Sequence, residues 1–386
     1  MALANTLTGL IPTLYAARDI VSRELTGLIP AVTIDAASAR AAKDEVVRVH
    51  VVPPFSAVDI TPAMTPPTPN GVTIGYVDMA ITKSRAVQIP WSGEEQQSIT
   101  ENGPGIDNVV RDETAQALRT LTNEIESDLG ALYTKASRAY GTPGTTPFAS
   151  NLGDPAQIRK ILDDNGAPAG DRQLVINTAG GAALRTLAQL TKVNEAGTDE
   201  VQRLGELINL HGFAIRESAQ IKTHTKGTAS GSTTDATGYA VGATTITLAS
   251  AGTGTILAGD VVTFAGDTNK YIVKTGDADV SNGGTIVLQA PGLRVAIPTS
   301  ATAITVGNAG VQNMAFHRSA LILLARAPYL PGGRDMASDR MMLTDPNTGL
   351  VFEVARYDGY HAHFLEVSLA WGVAGIKPEH QAVLLG

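Results

Sequence analysis

The sequence has no cysteine, and among its 386 residues that absence excludes disulfides, thiolate metal sites and a thiol nucleophile. It is compatible with assembly in a reducing cytosol and rules out an exported, disulfide-stapled module. Basic charge is also short. Lys and Arg total 29 against 37 Asp and Glu, a formal charge of -8, so the chain lacks the electrostatic footprint of a sequence-specific nucleic-acid binder. Any contact with nucleic acid is expected to be weak and local. No apolar run approaches the roughly 18 residues of a membrane span, and no basic n-region followed by an apolar h-region opens the chain. A mature, soluble protein is therefore expected. Aromatic residues are few, at 5%, whereas 39 glycines exceed the usual share of about 7% and imply a globular fold with many turns.

The motifs of common chemistry are missing as well. There is no Gly-Lys dipeptide, hence no phosphate-cradling GxxxxGK[ST] loop, and GxSxG, HExxH and a helix-opening GxGxxG are absent. No catalytic residue, cofactor or metal is expected, and the chain reads as a non-enzyme.

At roughly 150 residues per domain, the length suggests two or three domains. The hexapeptide Leu-Thr-Gly-Leu-Ile-Pro occurs twice, at Leu7 and at Leu25. Two copies are too few for a stacked repeat. They read either as short helical turns stopped by Pro12 and Pro30, or as two apolar anchors on an arm. Val46 to Val52 alternates as a strand, with Val47, Val49 and Val51 on one face and Arg48 and His50 on the other. Six prolines between 53 and 69 interrupt it, Asn70-Gly71 turns the chain, and Val72 to Ile89 resumes a strand-like run. Residues 46 to 89 are thus expected to form a long two-stranded ribbon, which is marginal in water without support.

Val110, Thr114, Leu118, Leu121, Ile125, Leu129, Leu132 and Ala136 recur at spacings of three and four, predicting one long amphipathic helix over 107–139. Arg111, Asp112, Arg119, Glu124, Glu126, Lys135 and Arg138 are assigned to its other faces. From Asp154 the pattern is mixed: a helix ending at Asn165-Gly166, a buried strand over Leu174 to Asn177, and helices over Ala182 to Leu190 and Asp199 to Leu210. Composition then shifts. Residues 227 to 310 hold 14 Gly and 16 Thr with no Glu, Met, His or Trp, and short β-branched runs predict a small barrel or sandwich with strands at Thr244–Leu248, Asp260–Phe264, Lys270–Val273, Thr285–Gln289 and Ala303–Val306. Phe316 to Ala327 and Leu350 to Trp371 return to larger apolar residues, so this β-domain is expected to be inserted in a host lobe.

Other candidates have plainer readings. Asp277-Ala-Asp279-Val-Ser281-Asn282-Gly283 resembles the opening of a calcium loop, but Leu288 stands where the final Glu belongs, and a hairpin turn at Asn282-Gly283-Gly284 is preferred. His361 and His363, two apart in an expected strand, read as a polar face without a third ligand. Lys83 reads as a solvated lysine rather than a covalent cross-linker. Trp91 and Trp371 read as core or interface anchors.

These parts occur together in one known design. The segments Asp19-Ile-Val-Ser-Arg-Glu-Leu25, Ile81-Thr-Lys-Ser-Arg-Ala-Val87, Ser137-Arg-Ala-Tyr-Gly141, Leu162-Asp-Asp-Asn-Gly166, Ala258-Gly-Asp-Val-Val-Thr-Phe-Ala-Gly-Asp267 and Ala370-Trp-Gly-Val373 resemble the major capsid (coat) proteins of tailed double-stranded-DNA bacteriophages. More narrowly, they resemble the podovirus branch typified by short-tailed Salmonella phages, which carries an insertion domain. The resemblance implies an α+β, Hong Kong-type capsid fold with an inserted all-β, barrel-like domain. By position it implies an N-terminal arm (1–45), an E-loop (46–90), a P-domain with the spine helix (91–153 and 350–386), an A-domain (154–222 and 310–349) and the inserted domain (223–309). It further implies hexamers and pentamers of an icosahedral shell, assembled in the host cytoplasm on a scaffolding protein and expanding as DNA is packaged. Partners implied are other copies of the chain, a scaffolding protein, a portal protein at one vertex, a decoration protein, and weakly held DNA, with no membrane. Under this reading Leu10, Leu28, Val47, Val49, Val51, Ile74, Tyr76 and Trp91 are the expected inter-subunit contacts. The competing expectation is a carbohydrate-binding or adhesive virion protein, which would need Tyr239, Phe264 and Tyr271 as exposed platforms; a hydrolase is a third.

Overall fold

The computed structural model describes residues 25–36, 40–53, 73–102, 106–187, 209–333, 335–345 and 348–386, with isolated positions between these runs. The apolar stripe does form a helix, Ile106–Gly130, and Thr114, Leu118, Leu121, Ile125 and Leu129 are all buried along it. The helix ends earlier than the stripe. Residues Ala131–Lys135 tighten into a 3₁₀ turn and Arg138–Gly141 is a strand, which corrects the expected span of 107–139. Gly130 keeps helical angles (φ -59, ψ -28) and leads into the 3₁₀ turn, the backbone becoming extended at Ala136; a Cβ at Gly130 would lie 2.7 Å from the Gln220 carbonyl oxygen, so this close approach requires glycine. Leu132 and Ala136 remain buried beyond it in other geometry, and the periodicity therefore runs on past the helix.

The helix packs on a six-stranded sheet. Its central strand, Ala362–Gly375, has one edge shared in tandem by Val351–Gly359 and Leu321–Arg326, and the other edge taken by Lys83–Ser92. Thr33–Asp35 extends it in parallel with Leu321–Arg326, and Ala337–Thr344 closes the far side. The resulting core includes Leu118, Leu121 and Ile125 from the helix and Phe352, Val354, Val367, Leu369 and Trp371 from the sheet. Each such side chain gains about 1.5–3 kcal/mol on full burial.

A second sheet orders its strands as Ile304–Val306, Val261–Phe264, Lys270–Thr275, Arg138–Gly141, Gln381–Leu385, Gly310–His317, Arg172–Ile176 and Phe213–Glu217. Helices Gly153–Asp164 and Thr178–Thr186 cover one end, burying Ile158, Leu162 and Leu184 against Leu174, Ile176 and Phe213. The first ends at Asn165-Gly166 as expected, with Gly166 at φ +76. The second begins four residues earlier than the predicted Ala182, because the Asn177 side chain accepts the Gly180 N–H at 2.9 Å and caps it there. The helix expected over Asp199 to Leu210 lies outside the described residues except at its end, where Leu210 bridges to Phe213.

The Gly/Thr-rich region has its own core. Ile246, Leu248, Val262, Phe264, Tyr271, Val273, Ile286, Leu288 and Ile304 cluster together, and among the described residues none from outside 229–306 joins them. Observed strands Thr245–Leu248, Val261–Phe264, Lys270–Thr275, Gly284–Leu288 and Ile304–Val306 agree closely with the sequence. The region is nevertheless continuous with the second sheet, through Lys270 opposite Ala139 and Tyr271 opposite Arg138.

Candidate assembly surfaces

The ribbon is shorter than 46–89. Val46–Val51 pairs antiparallel with Gly75–Ala80, from Val46 opposite Ala80 to Val51 opposite Gly75. The chain then leaves it, and Lys83–Ser92 joins the body sheet instead. That departure provides the support that the ribbon's own sequence lacks. Val47, Val49 and Val51 are half-buried beside Met79, Ile81, Leu324 and Ala370, while Val46, Ile74 and Tyr76 on the ribbon or at its end are exposed. Farther out, Phe55, Val58, Ile60 and Met64 are exposed too, Ile60 at 97%. Arg48 pairs with Asp78 at 2.8 Å and lies 3.8 Å over the Tyr76 ring, holding that ring on the outer surface.

Of the expected contact residues, Ile74 and Tyr76 are therefore free to meet another molecule, and the three valines rest partly on their own subunit. Leu28 and Trp91 are corrections: both are buried within the chain, Leu28 completely, because the body core already covers them. Leu10 lies outside the described residues.

Beside the ribbon's root, Val87, Ile89 and Pro90 face Val109, Asp112, Glu113, Gln116, Ala117 and Thr120 across an open groove of about 490 Å³. Glu113 Oε2 has no hydrogen-bond partner among the described residues, and burial raises its pKa. The groove thus combines an apolar strip with a partly buried carboxylate, whose pKa burial raises and the nearby Trp91 indole lowers.

Lys83, expected to be solvated, is half-buried and bonded to Glu124 Oε1 at 3.0 Å and Asp128 Oδ1 at 2.9 Å. Asp128 Oδ2 also accepts the Trp371 indole N–H at 2.9 Å. Burial pulls the lysine pKa down, but the two carboxylates outweigh it and hold the ammonium above its usual range. The residue ties the first body strand after the ribbon to the long helix.

Two further clusters were missed in the sequence. Glu126 and Arg138, assigned there to outer helix faces, are 1% and 3% exposed. Glu126 receives the backbone N–H groups of Gly27, Leu28 and Ile29. Burial raises its pKa against these donors, which lower it. Tyr133, His224 and Asp260 form a chain, Tyr133 Oη to His224 Nδ1 at 2.8 Å and His224 Nε2 to Asp260 Oδ1 at 2.8 Å. A Cβ at Gly259 would sit 3.2 Å from His224 Cε1, so backbone lies directly over the trio, which fastens the helix end to the Gly/Thr-rich region. No local spacing announces either cluster, since their members are far apart in sequence.

The weaker motifs resolve simply. Asp277 and Asp279 accept backbone N–H groups of Asp279 and Ser281 in the connection between Lys270–Thr275 and Gly284–Leu288. His361 is not in a strand: it occupies the turn at φ +52, and only His363 lies in Ala362–Gly375. Among the described residues no group of three metal-ligating side chains occurs, and no helix is long and apolar enough to cross a membrane. Phe264 and Tyr271 are buried, at 2% and 1% exposure, so they are not binding platforms.

No family model matches the chain, and no curated protein matches it. Solved structures do. The bacteriophage PhiM1 mature capsid gives 11% identity and a TM-score of 0.48, covering 93% of this chain and 86% of that one. The capsid structure of the Cyanophage P-SCSP1u gives 12% identity and a TM-score of 0.51, covering 92% of this chain and 86% of that one. At such identity the second likeness concerns the fold, and in its fold this chain is similar, over nearly its whole length, to a chain of that cyanophage capsid.

Proposed function

We propose that the chain is a structural virion protein, a major capsid subunit that assembles with copies of itself into a closed shell. The observation that carries this reading is the exposure of large apolar residues in the ribbon and the segment joining its strands, Ile74, Tyr76, Ile60 and Phe55, on a chain whose fold is similar to that of a cyanophage capsid chain. Large apolar side chains left in water, when gathered on one surface, mark a site that a partner covers. The groove beside the long helix supplies an apolar strip for a neighbour's ribbon. Many modest contacts of this kind, repeated around closed symmetry, hold a shell together without disulfides.

In the finer reading, residues 46–80 act as the E-loop, the Ile106–Gly130 helix as the spine of a P-domain, and the 223–309 region as an insertion domain of the podovirus type. Hexamers and pentamers then form a scaffolded procapsid that expands on packaging, with a portal at one vertex. Burial of Phe264 and Tyr271 argues against the adhesive alternative.

Negative-stain electron microscopy tests the proposal, on the chain produced alone, without and with a macromolecular crowding agent. Uniform polyhedral shells are expected. A monodisperse monomer under both conditions, at concentrations up to the solubility limit, overturns the proposal.

A further inference from the structure

The sequence Leu-Thr-Gly-Leu-Ile-Pro stands at both Leu7–Pro12 and Leu25–Pro30, and the structure shows what holds the second copy. Glu126 Oε1 accepts the Gly27 N–H at 2.6 Å and the Leu28 N–H at 2.7 Å, and Oε2 accepts the Ile29 N–H at 2.9 Å. Three consecutive backbone donors on one buried carboxylate make a specific, directional clamp. Leu28 and Ile29 are completely buried in the body core. A Cβ on residue 27 would lie 2.3 Å from the Glu217 carbonyl oxygen and 3.0 Å from Val175 Cγ1, so this position admits only glycine. The Pro30 carbonyl accepts Arg318 Nη2 at 3.0 Å. Leu25, by contrast, is exposed.

The socket therefore reads a glycine, two apolar side chains and a run of backbone polar groups that ends at a proline carbonyl. Every one of these features recurs in Gly9, Leu10, Ile11 and Pro12. We propose that the Glu126 socket is a binding site for this peptide motif and that Leu7–Pro12 is its second occupant, giving the amino-terminal arm two alternative registers. The first copy arrives from the same chain, with the residues between the copies looped out, or from a second copy of the chain by exchange of arms. Looping out is tolerable because closure entropy grows only slowly with loop length. The inference stands on the socket alone and does not depend on the shell reading.

The test uses the full chain and three variants: Gly9→Ala, Gly27→Ala and the double variant. Amide hydrogen exchange, read by mass spectrometry, and thermal unfolding are followed for each. Gly9→Ala should match the parent. Gly27→Ala blocks the second copy, so protection should pass from the amides of residues 27–29 to those of 9–11, slowing the latter by about tenfold or more, one such step being about 1.4 kcal/mol. The double variant should leave both sets fast and melt below Gly27→Ala. Size-exclusion chromatography of Gly27→Ala separates the two sources, a monomer indicating the same chain and a dimer indicating arm exchange. Unchanged exchange at 9–11 in Gly27→Ala overturns the proposal, as does equal melting of the single and double variants. Failure of Gly27→Ala to fold does so as well, since the first copy would then not have replaced the second.

Discussion

The strands between Thr245 and Val306 and the ribbon made by Val46–Val51 and Gly75–Ala80 are both short, β-branched and antiparallel. They treat their apolar residues in opposite ways. In the first region, alternate residues point into a shared interior, so Ile246, Val262, Phe264 and Ile286 cover one another. A ribbon has only two strands and no second layer. One of its faces leans on Leu324 and Ala370 of the body, and the other leaves Val46 and Tyr76 in water. Similar local sequence thus yields a self-contained core in one place and an unsatisfied surface in the other. The difference lies in how many strands close around the apolar side.

The comparison can be broken most severely from the core side. Phe264→Ala should cost the subunit about 3–5 kcal/mol, as large-to-small substitutions at buried aromatics do, measured by denaturant unfolding; a loss below about 1 kcal/mol would mean that this core is not self-supporting. A smaller effect is expected where the ribbon joins the body. Lys83→Met leaves Asp128 without its cation and Glu124 with Arg85 alone, at 3.4 Å, and should cost about 1–2 kcal/mol. On the ribbon, Ile74→Ser with Tyr76→Ser should change subunit stability by no more than about 0.5 kcal/mol while preventing shell formation in the microscope. A large stability loss there would show that the subunit alone already needs those side chains.

The smallest effect concerns acid. The Tyr357 hydroxyl, an Ala337 N–H and Arg340 hold Asp335 at a pKa of about 2. Because this value is below that of the unfolded chain, the stabilisation is present above about pH 4 and is lost as pH falls through 2. Asp335→Asn should flatten the decline of the melting temperature over that window. Asp78→Asn on the ribbon, where Arg48 also lowers the carboxylate pKa but both side chains are exposed, should change the same curve less. Identical curves for the two variants would remove this distinction between body and ribbon.

Much of the secondary structure was legible. The Leu118, Leu121, Ile125, Leu129 stripe and the alternating valines are periodic, and local periodicity survives in any fold that buries one face. The Gly/Thr-rich strands were legible for the same reason, being bounded by turn residues. The end of the long helix was not, because Gly130 keeps helical angles and the passage into a 3₁₀ turn leaves Leu132 and Ala136 buried at the spacing of the stripe. The exposed part of the candidate surface, Ile74 and Tyr76, was readable as apolar residues on a ribbon too thin to hide them. Trp91 was misplaced because its strand crosses to pair with Ala362–Gly375, a partnership that no feature of residues 83–92 specifies. Lys83 and Glu126 looked like solvated helix and strand charges, and each is instead held by groups distant in sequence.

The sequence by itself determined that a long amphipathic helix follows the ribbon, where the Gly/Thr-rich strands lie and that they form their own β core, and that no disulfide holds the protein together. These are properties of short-range pattern and composition. Only the tertiary structure decided which apolar residues remain exposed, which charges are buried, and that one copy of a repeated hexapeptide is seated in a socket. Those outcomes depend on which distant segments meet, and period-two and period-3.6 patterns say which face is buried without saying against what.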